Sequence, residues 1–121
     1  MRALLTIVSI LCLAMGASWA QADPAAGEAF FNGGGKCKNC HNTSDKKKVG
    51  PGLSQITQRA GEDWIKAFLN DTNGVWAADE GYTKTLKAAM NKTGKPKPAH
   101  KTRQLTETEI NDLLDFLKTL Q

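Results

Sequence analysis

Residues 37–41 read Cys-Lys-Asn-Cys-His, and this pentapeptide indicates which kind of cofactor the surrounding domain binds. The pattern C-x-x-C-H is the attachment signature of c-type haem. Two cysteines three positions apart can form thioethers with the two vinyl groups of one porphyrin, and the adjacent histidine can turn its imidazole to the iron. The sequence therefore predicts one covalent haem c, attached through Cys37 and Cys40, with His41 as the proximal iron ligand.

Two other kinds of site use the same residue types. A thioredoxin-like redox pair shares the C-x-x-C spacing, but it needs a βαβ context, and no segment here is a convincing strand. A zinc site can be assembled from the cysteines and histidines of residues 23–121, which are Cys37, Cys40, His41 and His100. Its two histidines are 59 positions apart, whereas structural zinc sites pair such ligands at short spacing. Haem attachment is therefore the preferred interpretation.

The first 22 residues, MRALLTIVSILCLAMGASWAQA, predict a secretory signal peptide. Arg2 supplies a positive start, an uncharged apolar stretch follows, and Ala20-Gln21-Ala22 forms an A-x-A cleavage site. The apolar stretch is too short for a membrane anchor, which needs about 20 apolar residues. We therefore expect cleavage after Ala22, a single domain over residues 23–121 and a periplasmic location without a stable membrane anchor.

Length and composition narrow the class of protein. The 121 residues allow one domain, and 40% hydrophobic with 23% charged residues resembles neither a disordered tail nor a multi-span membrane protein. Of the three cysteines, Cys12 falls in the predicted signal peptide, and the other two belong to the haem motif. The odd cysteine count therefore does not indicate a disulfide framework.

The net charge of +4 is partly a local feature of the haem motif. Five lysines flank the motif: Lys36, Lys38, Lys46, Lys47 and Lys48. Such a ring can steer a protein toward an acidic patch on a redox partner, and it also keeps a surface solvated. Nucleic acid is disfavoured as a partner, because no aromatic residues are interleaved with the basic run.

Hydrophobic periodicity predicts only helices. We expect helices over 23–32, 62–69 and about 80–92, a polar loop over 36–54, and an extended break at 95–98. A last helix is expected from Glu107, because Thr106 and Glu109 have the spacing of a capping box. The predicted fold class is all-α, with three to five short helices around the haem, which would complete a small core.

The chain resembles the class I cytochromes c over nearly all of residues 23–121. The resemblance rests on GEAFF (27–31) before CKNCH, on GPGL (50–53), and on the apolar stripe of residues 105–120. It implies that the terminal helices cross beside the haem, with Gly27 allowing Phe116 to approach. It also implies that the Pro51 carbonyl accepts the N–H of the proximal imidazole and so orients His41.

The sixth iron ligand is the point at which the chain departs from that family. Most members carry a methionine, often followed by proline, shortly before the last helix. Here Met90 is the one methionine of residues 23–121, it lies 15 positions before Leu105, and Asn91 follows it. Met90 is the first candidate, His100 in the expected loop is the alternative, and an open sixth position is the third possibility.

These features together predict a periplasmic one-electron carrier that cycles between Fe(II) and Fe(III) as a monomer and is not an enzyme. An alternative is a haem subunit of an oxidoreductase complex, for example in sulfur oxidation. A ligand-binding or catalytic haem protein would require an open sixth position.

Overall fold

The structure is a computed structural model that describes residues 21–121. Its elements are α1 (Pro24–Asn32), a 3₁₀ turn (Cys37–Asn39), α2 (Ile56–Ala60), α3 (Glu62–Asn70), α4 (Thr72–Ala78), α5 (Tyr82–Ala89) and α6 (Glu107–Lys118). The described range contains no β-strand, which confirms the all-α prediction. The predicted signal peptide falls almost entirely on residues 1–20, outside the described residues. None of the helices described is long and apolar enough to cross a membrane.

The two terminal helices, α1 and α6, cross in close contact. A Cβ added to Gly27 would lie 2.0 Å from the backbone oxygen of Asp112 and 2.9 Å from the Cβ of Phe116. The Phe31 and Phe116 rings then pack with centroids 5.4 Å apart. The close approach expected at Gly27 and Phe116 is therefore confirmed, and only a residue without a side chain fits there.

Both terminal helices begin with the caps that the sequence predicts. The Asp23 carboxylate accepts a hydrogen bond from the backbone N–H of Ala25 at 2.9 Å. Thr106 and Glu109 form the predicted capping box, with reciprocal bonds of 3.2 Å and 2.9 Å. These caps satisfy N–H groups that the first turn of a helix leaves without intrahelical partners.

The middle of the chain has more helix than the sequence predicts, and residues 21–121 contain six α-helices where three to five were expected. The segment after α3 carries Asn70, Asn73 and Gly74, which indicate a helix end. Instead, Asp71 ends α3 and starts α4 at once, because its carboxylate accepts the backbone N–H of Gly74 at 2.9 Å. The short helix α2 was also missed, since its single buried residue is Ile56.

Helix α5 and the loop that follows it close one side of the molecule. The helix is shorter than the predicted 80–92, because Met90 is its C-cap and Asn91 adopts a left-handed conformation with φ of 53°. The Thr83 hydroxyl, 1% exposed, accepts a hydrogen bond from the Trp64 indole at 3.0 Å. The Trp76 indole donates to the Lys95 carbonyl at 2.8 Å, so the loop is attached to α4. Hydrogen bonds from two indole groups thus connect α3 to α5 and α4 to the loop that follows α5.

Candidate functional site

The motif CKNCH forms a tight turn shortly after the end of α1. Lys36 takes a left-handed conformation with φ of 54°, and residues 37–39 form the 3₁₀ turn. Cys37 is half-buried against the core and Cys40 is exposed, so the two thiols differ in environment. Burial raises the pKa of the Cys37 thiol above its ordinary value. The turn presents both sulfurs and His41 to the same cavity.

The loop GPGL holds the ring of His41. The Nδ1 of His41 lies 2.8 Å from the carbonyl oxygen of Pro51, which can only accept, so Nδ1 donates and Nε2 is the nitrogen available to a metal. A Cβ at Gly50 would lie 2.5 Å from the ring carbon Cε1 of His41. A glycine is therefore required at position 50 for the loop to pack closely against the imidazole, and the sequence did not indicate this role.

A cavity of about 460 Å³ lies between the motif and the far side of the molecule. Its walls carry Cys37, Cys40 and His41 on one side and aromatic rings elsewhere: Phe31, Trp64, Phe68, Trp76 and Tyr82. The volume falls within the usual range for cofactor sites, about 300–1,000 Å³. An apolar cavity with two thiols and an imidazole at one wall fits a covalent haem in both size and chemistry.

His100 enters the same cavity from the loop after α5. Its ring lies edge-on to Phe68 with centroids 5.0 Å apart, and 6.2 Å from the ring centroid of His41. Its Nδ1 is buried without a hydrogen-bond partner. Burial, with a smaller contribution from His41, lowers the pKa of His100 to about 4, so its imidazole is neutral at pH 7. His100 is therefore not a solvated loop residue.

Met90 also lines the cavity, at the end of α5. It is half-buried and packs against a small cluster formed by Phe68, Trp76 and Leu86. The structure therefore brings both candidates for the sixth ligand, Met90 and His100, to the same cavity as His41. Burial also lowers the pKa of His41, so the proximal candidate is neutral at pH 7.

The zinc interpretation is not supported. Over the part of the chain that the structure describes, no group of three or more His, Cys, Asp or Glu residues is arranged to hold a metal ion. The two cysteines and two histidines line one cavity, but they are not arranged as the ligands of a single zinc ion. The redox-pair interpretation lacks its βαβ context, since residues 21–121 include no strand.

Exposed lysines flank the motif in the sequence and form what we call the basic surface. All five flanking lysines are exposed: Lys36, Lys38, Lys46, Lys47 and Lys48. Val49, which lines the cavity, is 65% exposed in the middle of this sequence region. Lys92 and Lys101 line the cavity as well. The lining of the cavity thus includes an exposed apolar residue and an exposed cysteine together with positively charged side chains.

Comparisons with known proteins identify a matching family and a similar fold. The family model for cytochrome c matches residues 24–121. Among solved structures, an engineered cytochrome c from Rhodothermus marinus, bound to a carbene intermediate, is similar with a TM-score of 0.61 and 23% identity. The similarity covers 80% of this chain and 75% of that one. No curated protein matches the sequence.

Proposed function

Because the chain belongs to the cytochrome c family, we propose that it is a periplasmic carrier that moves one electron at a time between partner proteins. The family binds haem c covalently, and Cys37 and Cys40 form its attachment site. When bound, the haem supplies an iron that changes between Fe(II) and Fe(III). Membership of this family implies electron transfer. The periplasmic location and the transfer between partner proteins are what we propose in addition.

The observation that carries the proposal is the basic surface that flanks the haem motif. Electron transfer between proteins needs an exposed cofactor edge and a surface that docks quickly and briefly. Cys40 and Val49 are exposed and line the cavity, and five lysines surround them in the sequence. A positive surface of this kind raises the rate of encounter with an acidic partner by about 10- to 1,000-fold at low salt.

The remaining residues of the site would hold the cofactor. Pro51 fixes the His41 ring through its carbonyl, so that Nε2 faces the cavity as the proximal ligand. The aromatic walls would shield a bound haem from water, which favours the less charged state of the iron. In this proposal the protein supplies ligands, burial and a docking surface.

The first experiment tests how the basic surface affects the rate of electron transfer, with small charged oxidants in place of a natural partner. The reduced protein is mixed with hexacyanoferrate(III), an anionic oxidant, or with tris(phenanthroline)cobalt(III), a cationic one, at increasing salt. We expect salt to slow the first reaction and to accelerate the second. The double variant K46E/K47E should weaken both trends, whereas K66E/K84E is the matched control, because it makes the same change of charge at exposed lysines outside the group that flanks the haem motif.

Equal trends for the two double variants would contradict the docking surface. A reduced protein that binds carbon monoxide at once would instead favour the ligand-binding alternative with an open sixth position.

The proposed location is tested separately, by fractionating the native host and sequencing the mature N-terminus, which should begin at Asp23. Light scattering should give the mass of a monomer, and a stable complex with another protein would favour the subunit alternative.

A further inference from the structure

The most informative distance in the cavity joins two histidines that are 59 positions apart in the chain. The ring centroids of His41 and His100 are 6.2 Å apart, and their planes are inclined by 51°. The bond from a metal ion to an imidazole nitrogen is about 2.0 Å, and the centroid of the ring lies about 1.1 Å further on. Two imidazoles on opposite sides of one ion therefore have centroids about 6.2 Å apart. The observed separation matches that spacing.

We propose that His100, rather than Met90, is the sixth ligand of the haem iron, so that two histidines hold it from opposite sides. This inference deepens the proposed function and rests on the haem being bound in this cavity. The 51° inclination is compatible with it, because each ring plane can contain the ligand axis while the two planes are rotated about that axis.

The surroundings of His100 support a ligand rather than a surface role. Its Nδ1 is buried and has no hydrogen-bond partner, which is costly for a polar atom and rare in native structures. The ring packs edge-on against Phe68, which is itself buried. Burying the polar imidazole of His100 costs free energy, and no hydrogen bond from the protein to its Nδ1 offsets that cost. A bond from one ring nitrogen to iron would offset it.

The loop that carries His100 is held on both sides. The Trp76 indole donates to the Lys95 carbonyl at 2.8 Å before it. After it, the amide of Gln104 donates to the Asn70 carbonyl at 3.3 Å. The loop therefore presents the imidazole in a defined place, as ligand binding requires.

Met90 has a packing role that does not need iron. It caps α5, where its backbone N–H donates to the Leu86 carbonyl at 3.0 Å. It packs against the cluster of Phe68, Trp76 and Leu86, and methionine readily fills irregular gaps of this kind. We therefore assign Met90 to the cavity wall.

Spectra of the matured holoprotein test the assignment. The oxidised wild type should be low-spin and lack the far-red charge-transfer band that a sulfur ligand produces. The variant H100M should gain that band and have a higher reduction potential, since methionine ligation raises the potential. The variant H100A should become high-spin, bind carbon monoxide when reduced, and return to a low-spin spectrum when imidazole is added. Rescue by imidazole distinguishes a lost ligand from a lost fold.

The variant M90L keeps an apolar side chain of similar size and should retain the low-spin spectrum of the wild type. A far-red sulfur band in the wild type that disappears in M90L would overturn the assignment. An unchanged spectrum in H100A would overturn it as well. In either case, reversible one-electron reduction at an electrode would show that the carrier function survives although the ligand assignment fails.

Discussion

The terminal helix pair, α1 with α6, and the far wall, residues 71–104, are built in different ways. The helix pair packs protein directly on protein, with Gly27 removing the space between two backbones and the rings of Phe31 and Phe116 in contact. The far wall contributes two buried hydrophobic residues, Trp76 and Leu86, to a small cluster with Phe68 of α3, and it faces the cavity. The comparison teaches that one region is completed by its own side chains and the other by the haem.

Loss of the haem should produce the largest effect, and it should be largest in the far wall. The variant C37S/C40S removes both attachment points. Without haem, the apolar walls of the 460 Å³ cavity would be exposed to water. The whole stability of a small domain is only about 5–15 kcal/mol, so the loss of this apolar burial is a large part of it. We therefore expect circular dichroism to show most of the helix content lost.

Hydrogen exchange identifies which region depends on the haem. Any residual protection in C37S/C40S should lie in α1 and α6, and amides of residues 71–104 should exchange freely. The control N39A changes an exposed residue between the same cysteines and should keep both haem and protection. Equal protection of the two regions without haem would remove the distinction between them.

The substitution G27A tests the helix pair itself. Alanine raises helix propensity by about 1 kcal/mol, but its Cβ would lie 2.0 Å from the backbone oxygen of Asp112, which cannot move aside as a flexible side chain can. We expect a net loss of about 3 kcal/mol in the free energy of unfolding. The control G34A has only ordinary contacts, at 3.9 Å from Phe30, and chemical denaturation should show little change. A stabilised G27A protein would mean that the helices do not cross this closely.

The substitution T83V tests how the far wall is held without a large core. It keeps the shape of the side chain but removes the hydroxyl that accepts the Trp64 indole N–H at 3.0 Å. An unpaired buried donor costs about 1–3 kcal/mol, so the free energy of unfolding should fall by that amount. The matched control T85V lies on the exposed side of the same helix and should be nearly neutral in denaturant titrations. Similar effects of the two variants would show that the buried hydroxyl contributes nothing.

The smallest effect is expected at the seam between the two regions, where Arg103 of the far wall pairs with Glu109 of α6. Hydrogen bonds from the Arg103 guanidinium lower the pKa of Glu109 from 4.5 to about 2. A lowered pKa stabilises the fold above pH 4.5, and this contribution is lost as the pH falls toward 2. In E109Q the melting temperature should therefore fall slightly at pH 7, and the difference from wild type should disappear near pH 2.

The control for that experiment is E107Q, which removes a charge from the same helical turn. Among the described residues Glu107 forms no ion pair, so the melting temperature of E107Q should follow that of the wild type more closely across the same pH range. A pH-independent difference in E109Q would attribute its effect to packing and not to the carboxylate charge.

Local signals explain how much of the fold was predictable. Asp23 and the pair of Thr106 and Glu109 cap helices through bonds only two or three residues long, so their pattern can be recognised in the sequence. At Asp71 the same chemistry was ambiguous, since a residue that ends one helix can cap the next. The helix missed there is only seven residues long, and its one buried side chain, Trp76, is supported by distant contacts.

The sequence by itself determined the covalent haem, its attachment through Cys37 and Cys40, and the helical class of the chain, because these depend on neighbouring residues. Only the tertiary structure decided which side chain faces His41 across the cavity. His100 lies in a basic loop and resembles a solvated residue, and nothing within a few positions distinguishes it from one. Folding buries its ring against Phe68 and places it 6.2 Å from His41, because α3, α4 and α5, which lie between the two histidines in the chain, fold around the cavity.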